Sequence, residues 1–317
     1  MIKKFKLLMK KIFILASFLL SALFTQAQQD VMISQYMFNM EVLNPGYAGS
    51  KDYMMATLLH RSQWTKFEGT PKTQIATLHS PWGDKRLGWG ANAVHDHIGV
   101  TDRVDVFFDL AYHLPLNESL KLGMGIRAGI SHFNSDLSKL TYWDTDDPTL
   151  NGGTISNTLP NTGAGLFLYS DKFYVGLSVP SVLSYDSTES INIEAEKEEA
   201  PNKVRHYYAT AGVAIPITSE LLMKPSILVK HVPSAPWEAD FNLNFLIANL
   251  VWVGASYRTG DAVIGMVEFQ LSRKLRIGYA YDYTLTDIQD YSSGTHEIMI
   301  GFDFGYDIMK MKTPRYF

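Results

Sequence analysis

The chain of 317 residues contains no cysteine. This excludes disulfide staples, thiolate metal sites and cysteine nucleophiles together. It also lacks excess positive charge: Lys and Arg number 28 against 32 Asp and Glu. Five of the lysines, Lys3, Lys4, Lys6, Lys10 and Lys11, fall in the first 27 residues, where there is no acid; without them the balance is 23 to 32, near −9. A nucleic-acid partner is excluded on that balance, because phosphate binding needs a basic face. No Pro/Gly/Ser tract divides the chain, so it reads as a single domain after its leader. Beyond the leader there is no run of 18 apolar residues, and hence no helix able to span a bilayer.

The leader itself has a basic start, an apolar core from Ile12 to Phe24, and small residues at Thr25-Gln26-Ala27. That is the layout of a secretory signal peptide cut between Ala27 and Gln28. A membrane-anchoring helix is the weaker reading, since the core falls short of the roughly 20 residues a span needs. An exported chain without cysteine needs another source of stability, such as a large hydrogen-bonded sheet.

What the chain has in quantity is alternation. In Ser119–Ile130, Leu120, Leu122, Met124, Ile126, Ala128 and Ile130 fall on one face, and Lys121, Gly123, Gly125, Arg127 and Gly129 on the other. A helix would scatter both sets, whereas a strand separates them. The same test sorts "KLRIGYAYDYT", "HEIMIGFDFGY" and "ADFNLNF". The period predicts fourteen strands, over 53–63, 72–80, 87–97, 103–113, 119–131, 161–169, 173–180, 204–214, 221–231, 238–246, 250–258, 262–270, 274–284 and 295–306. Most approach the 9–11 residues that cross a membrane when tilted. The least regular are 173–180, which is short, and 250–258, where Trp252 disturbs the alternation.

The connections test this independently. Membrane barrels have short periplasmic turns and longer external loops. The three longest gaps, 132–160, 181–203 and 285–294, all fall on one side, and no gap of the other set exceeds six residues. Aromatic residues gather at strand ends, with Trp64, Tyr257 and Tyr283 external and Tyr53, Tyr112, Tyr169, Tyr174 and Tyr306 periplasmic. They suggest the two girdles of such barrels. The fold class is therefore all-β, a transmembrane antiparallel β-barrel of about 14 strands. Residues 1–27 form the signal peptide, 28–51 a periplasmic lead-in, 52–306 the barrel and 307–317 a C-terminal tail. A soluble sandwich accounts less well for an apolar face set against a Lys/Arg/Asp-bearing face on so many strands.

Chemistry is harder to find. His95 and His97 share a strand face but have no third ligand, and "DTDDPTLNGG" from Asp144 lacks the spaced glutamate of a calcium loop. His60, His79, His113, His132 and His296 pair with no serine at readable spacing. No cofactor, metal or catalytic site is predicted. Arg61, Lys121, Arg127, Arg258, Glu268, Arg276, Asp282, Glu297 and Asp303 point inward with mixed sign. That points to internal pairing that braces a lumen, since a selective pore tends to concentrate one sign.

One block carries a resemblance. "DVMISQYMFNMEVLNPGYAGS" followed by "HRSQWTKFEGTPKTQIATLHSPW" resembles the start of the PorP/SprF family of Bacteroidota outer-membrane proteins. Gln35, Tyr36, Asn44, Pro45, Gly49, Arg61, Gln63, Trp64, Gly69, Pro71 and Thr73 carry it, together with the closing "PRYF" (Pro314 to Phe317). The resemblance implies an outer-membrane location and a non-enzymatic role in type IX secretion and gliding motility. The implied partners are outer-membrane lipid and type IX or gliding components. The docked protein would be the C-terminal region of a secreted adhesin or a periplasmic, peptidoglycan-linked motor component. A channel or small-molecule transporter is the alternative, and a rim hydrolase a third reading. Residues 28–51 are expected at or inside the periplasmic mouth, with Tyr36, Met37 and Phe38 buried there and available as a partner contact.

Overall fold

The computed structural model describes residues 32–304 apart from 67, 84–85, 140–152, 184–203 and 234. The signal peptide with its Ala27–Gln28 junction, most of the acidic "DTDDPTLNGG" segment, Tyr306 and the tail lie outside the described residues.

The strands form one closed antiparallel sheet. They are β1 (Met54–Ser62), β2 (Lys72–Trp82), β3 (Leu87–Ile98), β4 (Thr101–Pro115), β5 (Lys121–Asp136), β6 (Thr154–Tyr169), β7 (Phe173–Val179), β8 (Tyr207–Val213), β9 (Ile215–Pro216), β10 (Leu221–His231), β11 (Glu238–Ile247), β12 (Val251–Arg258), β13 (Ala262–Gln270), β14 (Leu275–Thr284) and β15 (Thr295–Phe304). The two-residue β9 continues β8 along the same edge of β10, so the fifteen elements make fourteen staves. β1 pairs with β15, and β10 with β11, which closes the ring. Closure is what hydrocarbon demands, because every backbone N–H and C=O must find its partner within the protein.

Alternation then gives each side chain one of two destinations. On β5, Met124, Ile126 and Ile130 are exposed on the outer wall, while Gly123, Gly125 and Arg127 are buried inside. The expected strands all form, including the two least regular. Trp252 breaks the period on β12 because it is an apolar residue on the inner face, packed edge-on against Phe38 with ring centres 5.8 Å apart.

The structure corrects two details. β5 and β6 rise past the expected ends, pairing out to Asp136↔Thr154. Their upper parts, Ser131–Asp136 and Thr154–Asn157, carry only Phe133 and Ile155 as apolar side chains, too few for an alternation to mark them. Tyr169 and Tyr174 do not belong to a lipid-facing girdle: both are buried in the lumen against Phe167. Tyr112, Tyr257 and Tyr283 do stand on the outer wall.

The connections at one end, 83–86, 116–120, 170–172, 217–220, 248–250 and 271–274, are all short, and the longest, 137–153 and 180–206, lie at the other. The long-loop end of such a barrel faces outward. A cysteine-free chain allows a direct check. Cysteine placed at the exposed Gln289 of a long loop should react with a membrane-impermeant maleimide on intact cells. Cysteine at the exposed Glu118 of a short turn should react only after the outer membrane is permeabilised.

Candidate functional site

The lumen is threaded by the chain's own residues 32–50, which coil through three 3₁₀ turns, Tyr36–Phe38, Met40–Val42 and Pro45–Tyr47. Nearly every residue of this segment is buried. Its irregularity has a cause: it follows no strand or helix period because it is surrounded by wall on all sides.

It starts near the long-loop end. Arg61, one residue from the top of β1, donates to Asp282 Oδ2 on β14 at 2.7 Å and to Glu297 Oε2 on β15 at 3.1 Å. The same guanidinium donates to Ser34 Oγ at 2.9 Å. The backbone N–H groups of Ser34 and Gln35 donate to the two Glu297 carboxylate oxygens at 2.9 and 2.8 Å. One buried knot thus joins the segment to three strands. One step on, Tyr36 Oη accepts from Asn242 Nδ2 on β11 at 2.6 Å.

The middle is held by a second fork. Arg127 on β5 donates to both Asp109 oxygens at 2.7 Å, and to the backbone carbonyls of Glu41 at 2.6 Å and Val42 at 2.9 Å. A planar guanidinium can do this because its five donors reach three acceptor groups at once.

The segment leaves at the short-turn end through "NPGYAGS". Asn44 caps the third 3₁₀ turn, accepting from Gly46 N at 2.8 Å, while its Nδ2 donates to Leu166 O at 3.0 Å. Pro45 starts that turn, where its missing N–H is harmless. Gly49 has φ +72° and lies against Gly88, so a side chain there would be strained and would strike the wall. Its N–H donates to His79 Nδ1 at 3.2 Å. His113 Nε2 donates to Ala48 O at 2.8 Å, and its Nδ1 faces Tyr169 Oη at 3.0 Å. A cavity of about 150 Å³ remains between segment and wall at this end, lined by Met37, Phe38, Tyr53, Leu246, Trp252 and Lys224 among others.

The motif residues therefore divide. Gln35, Tyr36, Asn44, Pro45, Gly49 and Arg61 belong to the segment and its anchor. Gln63, Trp64, Gly69 and Pro71 build the β1–β2 loop: Gln63 N donates to Pro71 O, Trp64 N to Thr295 Oγ1, and Gly69 O accepts from Gly99 N. Thr73 donates to Asp96 on the inner wall at 2.6 Å. Segment 32–50 is not confined to the periplasmic mouth. It runs the height of the lumen, because Ser34 and Gln35 must reach Glu297 at the opposite end. Tyr36, Met37 and Phe38 are buried as expected, and Met37 and Phe38 line the cavity at the short-turn end.

The inward charges pair as their mixed sign suggested. Arg258 meets Asp240 at 2.9 Å, and Arg276 meets Glu268 at 3.3 Å and Asp303 at 3.1 Å. Sequence reading missed Ser34, Asp109, Asp240 and Asn242 as anchors. The only signal of Asp109, Asp240 and Asn242 was a polar residue on the inner face of a strand, and Ser34, in the irregular segment, had none. His95 and His97 stand on the outer wall, both against Asp102, at 3.1 and 2.8 Å. No group of three or more metal-ligating side chains forms among the described residues.

The family described as "Type IX secretion system membrane protein PorP/SprF" matches residues 25–302. The chain belongs to the PorP/SprF family. It is thus an outer-membrane barrel of the type IX secretion system of Gram-negative bacteria, with membrane lipid and secretion components around it. No curated protein matches the chain. Among solved structures it is similar to the CymD monoaromatic hydrocarbon channel, at 12% identity and a TM-score of 0.48, covering 86% of this chain and 92% of that one. It is also similar to Acinetobacter baumannii Omp33, at 10% identity and a TM-score of 0.46, covering 81% and 100%. A Pseudomonas aeruginosa FadL homologue follows, at 11% and 0.46, covering 85% and 94%. At those scores they carry nothing beyond the barrel already seen in the closed strand ladder.

Arg127→Ala in this PorP/SprF protein would leave Asp109 buried without its partner, which costs about 3–5 kcal/mol. The denaturant midpoint of detergent-purified barrel should fall accordingly. The double variant Arg127→Ala/Asp109→Ala should lose clearly less than the sum of the two single variants.

Proposed function

We propose that this barrel is a non-enzymatic docking element of the type IX apparatus rather than a conduit. The observation that carries the reading is the lumen: the chain's own residues 32–50 fill it and are tied to the wall at both ends and in the middle. What is left for a partner is the pair of rims. At the external rim, β4, β5 and β6 stand well above β7 and β8, as a polar ribbon beside the lumen. That ribbon supports docking of a secreted surface adhesin. The short-turn rim, with its cavity beside Trp252 and Lys224, would serve a periplasmic motor or peptidoglycan-linked component.

Photo-crosslinking side chains at the exposed Thr154 of the ribbon and at the exposed Leu250 beside the short-turn cavity sample the two rims. A covalent adduct with an adhesin from the first, or with a periplasmic type IX component from the second, is the expected outcome. Adducts from neither, with a functional barrel in the membrane, would sink the docking reading.

Planar bilayers separate docking from transport. The intact barrel should show no steady conductance, and deletion of residues 32–50 should open a conducting path through whatever barrel still folds. A steady open pore from the intact protein would favour the channel or transporter reading.

A further inference from the structure

The outer wall changes character sharply toward the long-loop end of β1–β4. One cross-strand rung carries Leu58, Ala76, Ala93 and Val106 in register, all apolar. The next rung up carries His60, Gln74, His95 and Val104, and the one above it Ser62, Lys72, His97 and Asp102. Alternation puts all of these on the lipid side. The two alanines lie between larger neighbours, so the wall is concave there. A groove of about 420 Å³ follows, floored by Leu58, Ala76, Ala93, Val104, Ile298 and Ile300 and bordered by His60, Gln74 and His95.

The polar rungs above the groove are a connected bracket. His60 Nε2 meets Ser62 Oγ at 3.0 Å, and its Nδ1 meets Gln74 Nε2 at 3.4 Å. His95 Nδ1 meets Gln74 Oε1 at 2.6 Å, and its Nε2 meets Asp102 Oδ1 at 3.1 Å. His97 Nδ1 meets the same Asp102 oxygen at 2.8 Å. The bracket is internally satisfied except at its upper edge. There the exposed Lys72 ammonium and the Nε2 of His97 have no partner among the described residues. Lys72 and His97 are cross-strand neighbours.

We propose that this groove is a site for one outer-leaflet lipid bearing a phosphorylated headgroup. An acyl chain lies in the Ala76–Ala93 trough, and phosphate oxygens accept from Lys72 Nζ and from Nε2–H of a His97 imidazolium whose Nδ1–H donates to Asp102. Asp102 fixes both imidazoles and so sets the position of His97. Two features select this occupant over a free ion. The donors sit directly above an apolar trough, and the whole site faces the bilayer. A lysine and an imidazole N–H are charge-complementary to phosphate, whereas a neutral headgroup would leave Lys72 without a counter-charge.

The test is native mass spectrometry of the detergent-purified full chain, titrated with monophosphoryl lipid A or with the same lipid dephosphorylated. One phosphorylated lipid per barrel is expected, bound at least about tenfold more tightly than the dephosphorylated form. Lys72→Gln/His97→Gln should abolish that preference. Ala93→Leu, which fills the trough and leaves the donors in place, should reduce binding of both lipids. All three positions face outward, and heat-modifiable electrophoretic mobility reports that each variant is folded. Equal binding of the two lipids by the wild type would overturn the proposal, as would an unchanged preference in Lys72→Gln/His97→Gln. A wild-type spectrum dominated by a dimer whose groove excludes lipid would also overturn it.

Discussion

Hydrocarbon offers no hydrogen bonds, and that constraint shapes everything else in the molecule. The sheet must close on itself, so β1 meets β15 and no edge is left. Once it closes, each side chain faces lipid or lumen and nothing between. A lumen wide enough for fourteen staves is too wide for side chains alone to fill. The chain supplies the missing filler from the residues just before its first strand. The wall accommodates them by placing glycine where the backbone comes close and arginine where carbonyls and carboxylates need a shared donor.

How much of this could be read in the sequence follows from the same physics. Lipid on one side imposes a strict period of two, so the strands and the parity of their connections were legible. Inward mixed charge also signalled bracing, and Arg61, Arg258 and Arg276 pair accordingly. What faces inward against protein obeys no such rule. Trp252, Tyr169 and Tyr174 are apolar or aromatic on the lumenal face because Phe38, Phe167 and the threaded segment lie against them. From sequence they read as a flaw in the pattern or as girdle residues. The upper parts of β5 and β6 escaped notice because only Phe133 and Ile155 there are apolar. The path of residues 32–50 was hidden for a related reason: Glu297 and Asp282 are more than 240 positions from Ser34.

The segment is held by different chemistry along its length. At the long-loop end, charge-assisted bonds clamp two backbone N–H groups to a carboxylate. Midway, a guanidinium takes two carbonyls. At the short-turn end, shape dominates: a capped 3₁₀ turn lies against glycines that leave room for nothing larger. Removing the segment would strand Glu297, Asp282 and Arg127 with part of their partners gone, so wall and filler are one cooperative unit. The cavity beside Phe38 and Trp252 is a part of the lumen that this unit leaves open.

The Arg61 knot has a further consequence for how the barrel comes together. Arg61 stands on the first strand, Glu297 on the last and Asp282 on the one before it, and Ser34 touches all three of these side chains. The knot therefore sits over the seam where the two ends of the sheet join. Its contacts to Asp282 and Glu297 require both ends of the sheet to be in place. The seam is then latched from within, and parting β1 from β15 would mean pulling apart a buried ion cluster as well as a strand ladder.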